Sequence, residues 1–148
     1  MLGEDEDMAD DLPLDEEEYR RWRDEADRAL AGARLQADAG LHNWACFAAE
    51  QATQLAVKAL LHGLGRGPWG HDLVRLQALV EQTGIEVPPE TADATRRLGR
   101  HYIPARHPDA HAAGAPGAHY GAADSAEALR DAEQVLGFVD GTWQSLHG

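Results

Sequence analysis

Asn43-Trp44-Ala45-Cys46-Phe47-Ala48-Ala49-Glu50-Gln51-Ala52-Thr53-Gln54-Leu55-Ala56-Val57-Lys58-Ala59-Leu60-Leu61-His62-Gly63-Leu64-Gly65 decides the fold of this chain. The stretch has no proline, its first glycine is Gly63, and it is filled with alanine and leucine, which favour helix. Asn43 is placed to cap the start by accepting an orphan backbone N–H. Gly63 and Gly65 are placed to end it through the left-handed conformation. Trp44, Ala48, Ala52, Leu55 and Ala59 recur at steps of three and four, and Phe47, Val57, Leu60 and Leu61 lie beside or beyond that stripe. A helix apolar over so much of its girth is expected at the centre of a bundle, with partners on several sides. Gln51 and Lys58, seven apart, share one face, and Lys58 is the only lysine of the chain.

Working outward, an N-terminal helix is expected from Asp15, whose spacing to Glu18 resembles a capping box, to about Ala39, with Gly40 as its stop. Its apolar face carries Trp22, Ala26, Ala29, Leu30, Ala33 and Ala37, and its acids sit early, at the positive end of the helix dipole. Downstream, a loop containing Gly-Pro-Trp-Gly leads to a shorter helix near His71-Asp72 with Leu73, Leu76, Leu79 and Val80, closed by Thr83-Gly84. Pro89 suits the first turn of the next helix, which holds Ala92, Leu98, Tyr102 and Ile103 until Pro104 disturbs or ends it. Residues 104–121 read as a long loop, and a last helix from about Asp124 or Ser125 carries Leu129, Ala132, Leu136, Val139 and Trp143. Nothing reads as strand. The expectation is an all-α, up-and-down bundle of four to five helices, with Trp44, Ala48, Leu55, Leu73, Leu76, Leu129, Leu136 and Val139 largely buried. Its alanine-rich core implies thin side-chain layers and a second copy covering a further apolar face, hence a homodimer.

The 148 residues suit one domain, read as an acidic, disordered tail over residues 1–13 and a helical domain over 14–148. Of the 26 acids, ten lie within the first 18 residues without a single base, so the remaining chain is nearly balanced against 13 Lys and Arg. Residues 1–12 are expected to pack against nothing in their own domain. Cys46, the only cysteine, reads as a small core residue. No apolar run reaches membrane-spanning length and the start of the chain is acidic, so a cytoplasmic protein without membrane contact is expected.

Four of the eight histidines, His101, His107, His111 and His119, fall in one short region, around Arg106-His107-Pro108-Asp109-Ala110-His111. Three readings stay open there. His107 and His111 have the i, i+4 spacing of metal ligands, although Pro108 biases His107 away from helix, so no metal and no cofactor is expected. Arg106 with a nearby histidine offers phosphate chemistry, a bidentate cation beside a group that moves protons near neutral pH. A surface loop that is merely basic is the third. Gly63-Leu64-Gly65-Arg66-Gly67 follows a helix and lacks the lysine and hydroxyl of a phosphate-binding loop. Lys58 reads either as a snorkelling lysine or as a ligand-contacting one.

Several ordered blocks resemble the HEPN family, the higher eukaryotes and prokaryotes nucleotide-binding domain. They are Ala48-Ala49-Glu50-Gln51-Ala52 leading to Val57-Lys58-Ala59-Leu60-Leu61; Gly70-His71-Asp72-Leu73 with Leu76; Tyr102-Ile103-Pro104-Ala105-Arg106-His107-Pro108-Asp109-Ala110; and Ala128-Leu129-Arg130-Asp131-Ala132 with Val135 to Val139. The resemblance covers roughly residues 20–145. It implies a helical bundle that commonly dimerises, often encoded beside a minimal nucleotidyltransferase as a toxin–antitoxin pair. It also implies, for active members, metal-independent RNA cleavage at an Arg-polar-x3-His signature, which Arg106 to His111 fits with His107 as the polar residue. On that reading Arg106 holds the scissile phosphate, His111 moves the proton of the ribose 2′-hydroxyl, and His107 positions groups or serves the second proton. On the alternative reading the chain binds nucleotide through Arg106, Lys58 and His71, or serves as a protein-interaction module, and cuts nothing.

Overall fold

The computed structural model describes residues 13–147. The acidic tail read at residues 1–13 lies outside them except for Pro13. Among the described residues there are five α-helices and no strand: α1 (Glu16–Asp38), α2 (His42–Gly63), α3 (Leu73–Gln82), α4 (Pro89–Gly99) and α5 (Ala122–His147), with short 3-10 turns at Pro108–Ala110 and Pro116–His119. No helix is long and apolar enough to cross a membrane.

The ends of α1 follow from local chemistry. The Asp15 carboxylate accepts from the Glu18 N–H at 3.1 Å, and Glu16, Glu17 and Glu18 occupy the positive end of the helix. After α1, Gly40 turns the chain at φ +80°, a region open to glycine at little cost. The return arm of the helical hairpin is α2, and Asp15 N–H donates to Gly63 O at 2.8 Å, tying the start of α1 to the end of α2. Pro89 opens α4, and the Asp72 carboxylate caps α3 by accepting from the N–H groups of Val74 and Arg75.

The central helix is α2. It packs against α1 most extensively, then α5, α3 and α4. Ala45, Ala49, Ala52, Ala56, Ala59 and Leu60 are all wholly buried, so the neighbouring helices approach its backbone closely. Leu73 and Leu76 from α3, Leu98 from α4, and Val135, Leu136 and Val139 from α5 complete the core. Cys46 is buried within it as a free thiol, and burial pushes its pKa up to about 12.

Four expectations are corrected. First, α2 starts two residues earlier than read, with Leu41 and not Asn43 as its cap residue. Asn43 therefore sits inside the first turn, where its Nδ2 donates to Ala105 O at 2.9 Å instead of capping. Second, Gly63 is still helical; the left-handed residue is Gly65, at φ +77°. Third, the Trp44–Ala48–Leu55 stripe is the least covered side of α2. Trp44 is 42% exposed and Ala48 and Leu55 are half-buried, as is Leu129 of α5. The core instead meets the Ala45–Ala49–Ala52–Ala56 side, because alanines let helices approach where a tryptophan would hold them apart. Fourth, α4 ends at Gly99 and not at Pro104. Tyr102 and Ile103 lie in a run of turns over residues 100–106, which Arg100 and His101 open with N–H bonds to carbonyls three residues back.

Candidate functional site

A polar row runs along the otherwise apolar α2. Glu50, Gln54 and Lys58 stand at i, i+4 and i+8, and all three are buried, Glu50 completely. Gln54 Nε2 donates to both oxygens of Glu50, at 2.9 and 2.7 Å, and Gln51 Nε2 donates to Oε1 at 2.8 Å. Burial pushes the Glu50 carboxyl up to about 7, against the hydrogen bonds from Gln54 and Gln51 and the charges of Arg106 and Lys58. Burial likewise lowers the Lys58 pKa, opposed by the attraction of Glu50. Lys58 Nζ lies 6.0 Å from the Trp22 ring centre and forms no ion pair among the described residues. One turn on, His62 stacks on the same tryptophan at 4.5 Å; its Nε2 is buried without a partner, and burial lowers its pKa.

Arg106 approaches this row from the turns after α4. Its guanidinium lies 4.6 Å from the ring centres of both Phe47 and Tyr102, and Nε donates to Tyr102 O at 2.8 Å. The terminal nitrogens of the fork have no acceptor among the described residues. Asn43 secures the turn from below through its bond to the buried Ala105 carbonyl. The guanidinium is thus a half-buried cation resting against two rings, with its terminal nitrogens unpaired among the described residues.

His71 joins the same cluster from the loop before α3. Its ring stacks on Tyr102 at 5.5 Å and 13°, and its Nδ1 lies 3.2 Å from Gln54 Oε1. The Gln54 amide nitrogen is committed to Glu50, so the amide oxygen faces His71. In the neutral ring Nδ1 then carries the hydrogen and Nε2 keeps its lone pair. A groove of about 400 Å³ opens beside this stack, lined by His71, Asp72 and Leu73 together with Gly99 and residues 102–104.

The histidines of the 104–121 loop are arranged differently. His107 is exposed, and His111 donates from Nε2 to Pro104 O at 2.6 Å while stacking on His119 at 4.1 Å. His119 in turn donates from Nε2 to Ala113 O. His107 and His111 both have extended backbone and flank a 3-10 turn, so they do not share a helix face. Among the described residues no group of three His, Cys, Asp or Glu is placed to hold a metal ion. No hydrogen bond links Arg106 to His107 or His111. Of the residues singled out in the sequence, Arg106, Lys58 and His71 gather around Glu50 and Gln54, whereas His107 and His111 have other neighbours.

The HEPN domain family model matches residues 19–142. The chain belongs to the HEPN family. Solved structures agree with that membership. TT1696 from Thermus thermophilus shares 37% identity with this HEPN domain at a TM-score of 0.80, covering 83% of this chain and 96% of the other. ST0689, an archaeal HEPN homologue, shares 30% identity at a TM-score of 0.70 over 84% of this chain and 96% of its own. A HEPN domain protein from Thermotoga maritima, TM0613, shares 26% at 0.68, over 84% and 98%. No curated protein matches this chain.

Four members of the cluster had no role assigned from sequence: Glu50, Gln54, Phe47 and Tyr102. A signal for two of them was present, since Gln54 and Glu50 fall one and two turns before Lys58 on a helix made mostly of apolar residues. Polar residues there must be paired or functional, because burying them bare is costly.

Proposed function

We propose that this HEPN domain binds the phosphate of RNA or of a nucleotide at Arg106, with Lys58 and His71 flanking the site. The observation that carries this reading is the Arg106 guanidinium, lying 4.6 Å from the ring centres of both Phe47 and Tyr102 and tied by Nε to Tyr102 O, with no acceptor for its terminal nitrogens among the described residues. A preorganised planar fork is suited to two phosphate oxygens, and little side-chain entropy remains to be lost on binding. Lys58, buried and without an ion pair among the described residues, acts with Arg106 on Glu50 and so adds positive potential to the same region.

The cleaving form of this function adds His111 as the proton-transfer group and His107 as a positioning group. It is supported by the Arg-x4-His spacing and by the family resemblance; His111 keeps Nδ1 for such a role, its Nε2 being held by Pro104 O. A homodimer is supported by the partly uncovered Trp22, Trp44, Ala48 and Leu55, and a minimal nucleotidyltransferase partner by the family resemblance alone.

The test is binding and cleavage of a labelled single-stranded RNA by purified wild type, Arg106→Ala and His111→Ala, with and without chelator. Arg106→Ala is expected to weaken binding by roughly tenfold or more. If the RNA is cut, Arg106→Ala costs about a hundredfold in rate and His111→Ala about 10²–10⁴-fold. Equal binding by wild type and Arg106→Ala would overturn the site. Binding without cleavage assigns the chain to the nucleotide-binding form of the family.

A further inference from the structure

Beside the phosphate-binding fork lies a groove whose walls have a different chemistry. The planar groups follow one another in a ladder. Trp44 meets Phe47 edge-on at 6.2 Å, Phe47 and Tyr102 lie 6.1 Å apart with Arg106 against both, and Tyr102 stacks on His71. The groove of about 400 Å³ begins at the last rung. Its size is within the range of small-ligand sites, roughly 300–1,000 Å³. Leu73 and Ile103 make it partly apolar. The Asp72 carboxylate at its wall caps α3 and would repel a phosphate. A flat, neutral, partly apolar group suits it better than a second anion.

The imidazole at the mouth is oriented from the core. The wholly buried Glu50 fixes the Gln54 amide, and Gln54 Oε1 accepts the Nδ1 hydrogen of His71. Two residues of α2 thus orient one exposed ring, and in its neutral form they fix the tautomer that leaves Nε2 as an acceptor.

We infer that the groove between His71 and Ile103 is a nucleobase subsite next to the Arg106 phosphate site, with His71 Nε2 accepting from the exocyclic amine of an amino-bearing base such as adenine. This rests on the phosphate reading of Arg106 and extends it to the base. Base stacking on aromatic groups is tolerant of sequence, and the histidine acceptor supplies a preference among bases.

The test is calorimetric titration of the full chain with ribose 5-phosphate, AMP and IMP, using wild type, His71→Ala, His71→Phe and Arg106→Ala, with the fold of each checked by circular dichroism. Wild type is expected to bind AMP roughly tenfold or more tightly than ribose 5-phosphate, and more tightly than IMP, which lacks the amine. His71→Ala brings AMP and ribose 5-phosphate close together. His71→Phe keeps a flat ring against Tyr102 and loses the AMP-over-IMP preference. Arg106→Ala weakens all three ligands and preserves their ratios. Ribose 5-phosphate binding that depends on Arg106, with no gain from the base or no change in His71→Ala, would overturn the base subsite and leave the phosphate site standing. No binding of any of the three by folded wild type would overturn both.

Discussion

Gly63 at the end of α2 and Trp143 in α5 pack backbone against ring, with no side chain between them. A Cβ built on Gly63 would fall 2.7 Å from Trp143 Cη2, nearer still to Cζ3, and 3.1 Å from Tyr19 Cβ. The indole cannot simply tilt away, because it is stacked on Tyr19 at 4.0 Å and 3°. The glycine is therefore required by close approach and not by a left-handed turn.

Gly63→Ala is accordingly expected to destabilise the bundle by about 1–3 kcal/mol through overpacking, despite the better helix propensity of alanine. Melting should shift down by roughly 3–10 °C. Gly137→Ala in α5 is the control. Nothing lies within 4 Å of a Cβ there, so the same change should leave stability unaltered or raise it by up to about 1 kcal/mol. Equal melting shifts for the two variants would contradict the packing argument.

Glu50 should make stability fall as pH rises. Its folded pKa, raised to about 7 by burial, exceeds the value of roughly 4.3 for an unfolded glutamate. Between those values the folded state holds the proton more tightly, so this contribution is complete below about pH 4 and is lost as pH passes through 7. Glu50→Gln cannot ionise. Its stability relative to wild type should therefore improve by about 1–3 kcal/mol between pH 4.5 and 8. His62 and His101, whose pKa values burial lowers, act in the opposite sense as pH falls and cancel in this difference. A difference between the two chains that stays flat across urea melts at these pH values would refute the assignment.

Asn43→Ala removes the side-chain bond that holds Ala105 O, and with it the seat of Arg106. The loss is expected to cost about 1–2 kcal/mol, since a buried carbonyl is left without its donor. Amide exchange should accelerate across residues 101–107 more than in α1 or α5. Uniform acceleration throughout the chain would mean that the bond supports the whole bundle and not this turn.

Leu55→Arg tests the uncovered side of α2. Leu55, Ala48 and Trp44 form a partly exposed apolar stripe, with Trp22 beside Leu55. Wild type is expected to scatter light as a dimer at high micromolar concentration, and Leu55→Arg as a monomer with unchanged helix content. A monomeric wild type would remove this face as a self-association surface.

The local chemistry of the chain was enough to determine its helices. The Asp15 cap, the Gly40 and Gly84 turns and Pro89 at the start of α4 depend on contacts within a few residues, so composition and spacing reveal them. The central place of α2 was equally legible, because a helix apolar on nearly every side has to be surrounded. Which side of α2 remains least covered was decided by the tertiary structure. Helices settle on the alanine side, where backbones approach most closely, and Trp44 is left outside. The candidate site divides in the same way. Arg106, Lys58 and His71 were recognisable as residue types suited to phosphate, but they come from three separate segments and meet only when the turn after α4 folds against α2. The spacing of Arg106 and His111 pointed to a pair because their separation along the chain is short. In the folded chain Arg106 is held by Tyr102 and Phe47 and His111 by Pro104 and His119, and the polar groups beside Arg106 are Glu50 and Gln54 from more than fifty residues earlier. That neighbourhood is set by long-range packing, which no local spacing encodes.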